Sequence, residues 1–161
     1  MDIPRIFTIS ESEHRIHNPF TPEKYATLGR VLRMKPGARI LDLGSGSGEM
    51  LCTWARDHGI NGTGIDMSQL FTAQAKQRAE ELGVSERVHF IHNDAAGYVT
   101  DEKCDVAACV GATWIAGGVA GSVGLLAKSL KPGGMILIGE PYWRQVPATE
   151  EIAQACGVSS K

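Results

Sequence analysis

The stretch that decides the fold is Leu41-Asp42-Leu43-Gly44-Ser45-Gly46-Ser47-Gly48. The apolar run Arg39–Leu43 precedes its glycines, and Glu49–His58 follows with Met50, Leu51, Trp54 and Ala55 at helical spacing. Strand, glycine loop and helix in that order give a Gly-rich turn its meaning. Without Cβ atoms, Gly44, Gly46 and Gly48 let the chain turn sharply and let a ligand come close to the backbone. The following helix aims free N–H groups and the positive end of its dipole at the same place. The spacing argues against a dinucleotide. In a G-x-G-x-x-G/A fingerprint the third position is small so that helix and strand pack closely, but counting from Gly44 it is Glu49. A P-loop would need a Lys-Ser or Lys-Thr pair directly after its glycines, and none follows Gly48. Asp42, just ahead of the loop, would repel pyrophosphate and hold an ammonium group.

Outward from this loop the chain alternates strands and helices. Thr63–Ile65 reads as a second strand ending at Asp66. Ser68 then caps a helix through Leu82, with Leu70, Phe71, Ala75, Ala79 and Leu82 inward and Gly83 closing it. Val88–His92, Asp105–Val110 and Met135–Gly139 read as further strands, and Val119–Leu130 as a glycine-weakened helix. Thr149–Ala155 reads as a last helix. Upstream, Thr21-Pro22-Glu23 starts a helix with Tyr25, Leu28, Val31 and Leu32 on its apolar face, while residues 1–20 lack clear periodicity. Strands that are continuous apolar runs, separated by helices, imply a parallel sheet covered on both faces.

Composition sets the outer bounds. The chain has 161 residues, 43% hydrophobic and 21% charged, with a formal net charge of −2. That is one globular domain: 1–161 as a single unit, with 1–35 as an N-terminal helical cap and 36–140 as the core. Scattered Lys and Arg argue against a nucleic-acid or membrane partner. No apolar stretch approaches the roughly 18 residues of a membrane span. No signal-peptide layout opens the chain, which implies a cytoplasmic protein. Cys52, Cys104, Cys109 and Cys156 form no CxxC pair, so they read as reduced, small hydrophobes rather than metal ligands. His89 and His92 fall on opposite faces of a strand, which argues against a metal there.

Leu41–Gly48 resembles the D/E-x-G-x-G-x-G motif of class I S-adenosylmethionine-dependent methyltransferases. Ile65-Asp66 resembles that family's acidic ribose-binding position, Asn93-Asp94-Ala95 its adenine-binding position, and Leu130-Lys131-Pro132-Gly133-Gly134 the turn before its fifth strand. The overall sequence is also similar to uncharacterised enterobacterial members, small-molecule methyltransferase-like proteins. The resemblance implies a Rossmann-like, doubly wound α/β domain with strand order 3-2-1-4-5. S-adenosylmethionine would be held by Asp42, Gly44, Ser45, Gly46, Gly48, Asp66, Met67, Asp94, Ala95 and Gly111. Asp66 would accept from both ribose hydroxyls, or else cap the next helix. Met67 would pack on adenine, or in the core. Asp94 would accept from the adenine amino group and the Ala95 N–H would donate to a ring nitrogen, unless Asp94 is an ordinary turn aspartate.

A small-molecule acceptor is expected, because Cys109-Val110-Gly111-Ala112 replaces the D/N-P-P-Y/F tetrad of amino-methylating nucleic-acid enzymes. Cys109 reads as buried and inert. His14 and His17 are candidate bases from the segment ahead of the first strand, or plain surface residues. Glu140 is a second base or a structural cap. Trp114, Tyr142 and Trp143 line an acceptor pocket or pack as lid and core. Two other readings are a non-catalytic S-adenosylmethionine-binding module and a nicotinamide-dependent oxidoreductase. Glu49 counts against the latter. The family usually continues with two more strands after the fifth. Glu140–Lys161, with Pro141, Pro147 and one helix pattern, offers none, so the chain reads as lacking that pair. Its fifth strand would then keep a free edge through which two copies can associate.

Overall fold

The protein is described by a computed structural model over residues 4–142, 144–145 and 149–155. Five strands form one sheet in the order β3-β2-β1-β4-β5, every neighbouring pair parallel. They are β1 (Arg39–Leu43), β2 (Asn61–Asp66), β3 (Val88–His92), β4 (Cys104–Val110) and β5 (Leu130–Gly139). The helices are α1 (Arg5–Glu11), α2 (Pro22–Val31), α3 (Glu49–His58), α4 (Gln69–Glu81), α5 (Val119–Ala127) and α6 (Glu150–Ala155), with a 3-10 turn at Thr113–Ala116. The Rossmann-like α/β domain with that strand order is the one expected from the sequence.

Side-chain alternation divides the core into two layers. Ile40, Val106, Ala108 and Val110 face α2, α3 and α4, where they meet Leu51, Trp54 and Ala75. Leu41, Leu43, Ala107 and Cys109 face Leu125 and Leu126 of α5. Trp54 is buried and donates from Nε1 to the Tyr25 carbonyl at 2.9 Å. Gly29 allows this crossing, since a Cβ there would sit 2.9 Å from Trp54 Nε1 and 2.6 Å from His58 Nε2.

Several boundaries differ from the sequence expectation. Residues 5–11 form α1 without a buried residue; Ile6, Phe7 and Ile9 all stay exposed, so no period marked the helix. Val31 is exposed because Tyr25, Leu28 and Leu32 already define the inward stripe of α2. Leu70 lies one residue off the inward Phe71–Ala75–Ala79 row and is exposed too. β2 begins at Asn61 and β4 at Cys104, earlier than their apolar runs. The expected turn 130–134 is instead the irregular start of β5. Leu130 pairs with Cys104 and Met135 with Val106, so the extra residues between them bulge out at Gly133, whose φ is +78°. That pairing also ends α5 at Ala127 rather than at Leu130.

On the α5 side the cover is thin. Met135 and Ile136 are exposed on opposite faces of β5, and Val119 and Val123 are exposed on α5. Among the described residues β5 pairs with β4 alone.

Candidate active site

The C-terminal ends of β1 and β4, where the strand order reverses, are where open α/β sheets bind ligands. A cleft of about 610 Å³ lies there, a size suited to a small-molecule ligand. Its floor is the turn between β1 and α3. Gly44 and Gly46 have φ of +77° and +52°, and a Cβ on Gly44 would meet Ala112 Cβ at 2.6 Å. The turn is tied to the end of β2: the Gly44 and Ser45 N–H groups donate to the Ile65 carbonyl at 2.8 and 3.1 Å. Gly46 N–H donates to Asp66 Oδ2 at 2.8 Å.

Asp66 serves both sides of this crossing. Its other oxygen accepts from Ser68 N–H at 2.8 Å, while Ser68 itself caps α4 by accepting from Phe71 N–H. Each carboxylate oxygen keeps a lone pair for a ligand hydroxyl. Asp94 and Ala95 reach the cleft from the loop after β3; Asp94 Oδ1 accepts from Ala96 N–H at 2.8 Å. Met67 and Gly111 line it as well. Gly48 does not. With φ +73° it turns toward Phe90 and Ala75, whose atoms a Cβ would meet at 2.6 and 2.8 Å, so its bareness lets α3 pack on the sheet.

Among the described residues, two buried polar atoms at this floor have no hydrogen-bond partner, Asp42 Oδ1 and Ser45 Oγ. Asp42 is 4% exposed. Burial, and then the charge of Asp66, push its carboxyl up to about 7. Beside it the buried Tyr25 hydroxyl is hydrogen-bonded to Asn18 at 3.0 Å. Burial pushes that phenol up to about 12. Glu49, on the cleft's inner wall, is held by a two-point ion pair with Arg78 at 2.8 and 3.0 Å. Cys109 is fully buried in β4, and its thiol is likewise pushed up to about 12, mainly by burial.

The N-terminal segment forms the roof and separates the two candidate histidines. His17 lines the cleft, its ring 4.1 Å from that of Phe71. Its Nε2 lies 3.0 Å from both the His14 carbonyl and Ser47 Oγ, and Ser47 donates to Gln74 Oε1 at 2.7 Å. Ser47 has spent its proton on Gln74, so His17 carries its proton on Nε2 and keeps the Nδ1 lone pair over Gly46. Burial lowers the His17 pKa. The His14 side chain is outside the cleft, exposed and paired with Glu11 at 3.0 Å. Glu140 is also outside; it accepts from the Thr113 hydroxyl, as a structural tie. Trp114 lines the cleft, Tyr142 is exposed away from it, and Trp143 lies outside the described residues.

Asn18, Ser47 and Gln74 carry no sequence signal that marks them as site residues, and Tyr25 reads from sequence only as part of the apolar face of α2. Ser47 belongs to the glycine motif, but its partners come from distant segments. Among the described residues no group of three His, Cys, Asp or Glu side chains is arranged to hold a metal ion, and no helix is long and apolar enough to cross a membrane.

Residues 40–134 match the model of a methyltransferase domain. The Escherichia coli K12 protein YjhP is 91% identical over 160 residues, covering 99% of this chain and 64% of its own length. Its X-ray structure superposes with a TM-score of 0.94 at 90% identity, over 97% of this chain and 64% of that one. A Geobacter sulfurreducens protein described as an S-adenosylmethionine-dependent methyltransferase, crystallised with S-adenosylhomocysteine, superposes with a TM-score of 0.97 at 76% identity. It too is covered over 64% of its length, against 99% of this chain. The chain thus spans somewhat less than two-thirds of the length of these relatives.

Proposed function

Because the chain belongs to the methyltransferase domain family, within the class I S-adenosylmethionine-dependent superfamily, we propose that it binds S-adenosylmethionine and passes the methyl group to a small molecule. The observation that carries this reading is the glycine turn with two orphaned buried acceptors, Asp42 Oδ1 and Ser45 Oγ, facing a cleft at the strand-order reversal. Those residue types fit the ligand. Asp42 suits its ammonium group, Ser45 and the bare backbone at Gly44 and Gly46 its amino-acid arm, and Asp66 its ribose hydroxyls. Met67, Asp94 and Ala95 suit its adenine, and Gly111 leaves the backbone open beside the arm.

When bound, the cofactor supplies a methyl carbon made electrophilic by its sulfonium. The chain's own work is to hold and orient. Fixing donor and acceptor in line contributes roughly 7–11 kcal/mol toward the barrier. Phe7, Ile16 and Phe71 add apolar surface to the cleft, and a water-poor surrounding favours a step in which charge disperses. His17, with a free Nδ1 lone pair, is the imidazole positioned to accept a proton from an acceptor that carries one. Three free, buried cysteines, Cys52, Cys104 and Cys109, support a reducing, cytoplasmic setting.

Calorimetry with S-adenosylmethionine and S-adenosylhomocysteine tests the cofactor assignment. Asp66→Ala is expected to weaken binding by about 1.5–3 kcal/mol, the range for hydrogen bonds to a charged group. Unchanged affinity in that variant would remove Asp66 from the site.

The reading includes self-association. β5 is apolar on both faces and, among the described residues, is paired along one edge only; an unpaired edge is a template for another strand. Light scattering after gel filtration is expected to give a mass above that of the monomer; a monomer at all accessible concentrations would rule out association through β5.

A further inference from the structure

The charges in the cleft are one-sided. Among its described lining residues, Glu11, Asp42, Glu49, Asp66 and Asp94 are carboxylates and Arg15 is the one Lys or Arg. Arg15 is committed to Glu81 at 3.0 Å. Glu49 is the carboxylate matched by a guanidinium, that of Arg78. Glu11 is paired with His14 at 3.0 Å. Asp42, Asp66 and Asp94 therefore face the cleft without a cationic side chain as partner among the described residues, and there Asp42 Oδ1 is buried with no hydrogen-bond partner. A second feature is independent of charge. Phe7 on α1 and Trp114 on the 3-10 turn line the same cleft while 56% and 66% exposed. At a cleft mouth, large aromatic side chains offer flat apolar faces on which a ligand can pack. Aromatic faces attract cations.

Resting on the cofactor reading above, we infer that the cleft admits acceptors without negative charge, amines foremost, and rejects carboxylates and phosphate esters; an amine that enters protonated gives its proton to His17 Nδ1, and its freed lone pair takes the methyl as the sulfur leaves neutral. A bound S-adenosylmethionine adds one net positive charge and leaves the lining acidic. With S-adenosylhomocysteine, which has no net charge, the excess is larger. With the cofactor on Asp42, Asp66 and Asp94, an anionic acceptor still lies in the field of these carboxylates and finds no uncommitted guanidinium among the described lining residues; in a partly dry site like charges repel strongly. An amine meets carboxylates and aromatic rings together.

Three probes of one shape separate the terms: tryptamine (cation), 3-ethylindole (neutral) and indole-3-propionate (anion). Each is titrated into the chain with and without S-adenosylhomocysteine, following the indole N–H resonance of Trp114, assigned with Trp114→Phe. Tryptamine is expected to bind at least about tenfold more tightly than indole-3-propionate, 3-ethylindole falling between, and the gap should narrow as salt rises. Equal affinities overturn the inference, as do an anion that binds best, a preference that leaves the Trp114 signal unmoved, or no binding of any probe at millimolar concentration. Failure of S-adenosylhomocysteine to bind would instead sink the cofactor reading, and the comparison without it would still decide the charge preference.

Discussion

Asp42→Asn is expected to stabilise the ligand-free protein at pH 8 while weakening its hold on S-adenosylmethionine. Asp42 lies on the sheet face that packs against α2 and α3, and burial followed by the charge of Asp66 raises its pKa from 3.8 to about 7. A raised pKa means the folded chain keeps a proton that the unfolded chain releases. Stability is then unaffected below about pH 4, falls as pH rises toward 7, and stays low above it. At about 1.4 kcal/mol per pH unit, the difference between 3.8 and about 7 amounts to roughly 4 kcal/mol as an upper bound. Asparagine has no proton to lose, so the gap between variant and parent should open with pH. The same change removes the charge proposed to hold the ligand ammonium, a loss of about 1.5–3 kcal/mol in binding. Urea unfolding at pH 5 and pH 8, with calorimetry at pH 8, checks both halves. A stability gap independent of pH would show that Asp42 is not the group titrating.

Trp54→Ala is expected to cost about 3–5 kcal/mol of stability, the range for deleting a large buried aromatic. Trp54 is 1% exposed and joins two elements: its ring fills the layer between α3 and the sheet, and its Nε1 binds the Tyr25 carbonyl on α2. Bare Gly29 accepts the ring edge and has no side chain of its own to swing into the hole. Tyr25 and Asn18 belong to the cleft wall; the variant should therefore bind ligand less tightly as well as unfold earlier. Trp54→Phe, which keeps most of the volume and loses the donor, should retain most of the lost stability. A loss under about 1 kcal/mol for Trp54→Ala, read from denaturant midpoints, would contradict this account.

How far the sequence could be read depended on how local each determinant is. β1 and β3 were legible to the residue because short apolar runs stand between turn signals, and Gly59 marked the end of α3 because only a left-handed cap closes it, with φ +66°. α1 was invisible because it buries nothing. Val31 and Leu70 were placed inward because apolar residues beside an inward stripe are indistinguishable from members of it by type. In the site, the glycine turn, Asp66 and Asp94 were legible because each belongs to a short strand-end motif. His14 and His17 were not separable. Only the fold shows that one ring tucks between Phe71 and Ser47 while the other turns to Glu11. Gly48 looked like part of the floor because spacing records bareness without recording which neighbour requires it.

The strand order also separates local strand pairings from a long-range one. β1, β2 and β3 can pair as the chain is made, with α3 and α4 packing on them from the connecting segments. β1 gains its second neighbour only when Ile40 meets Val106, a long-range closure that opposes rapid folding. One pin for this join lies at the far end of the sheet, where Asp105 accepts from the Arg39 backbone at 2.7 Å and from Lys131 at 2.7 Å. At the near end the cleft spans the same join, with Gly44 on one side and Ala112 on the other. A molecule that fills it touches both halves. A ligand that binds only the folded chain raises the free energy holding them together by RT ln(1 + c/Kd) at free ligand concentration c, so at saturating concentration it acts as a structural member of the fold.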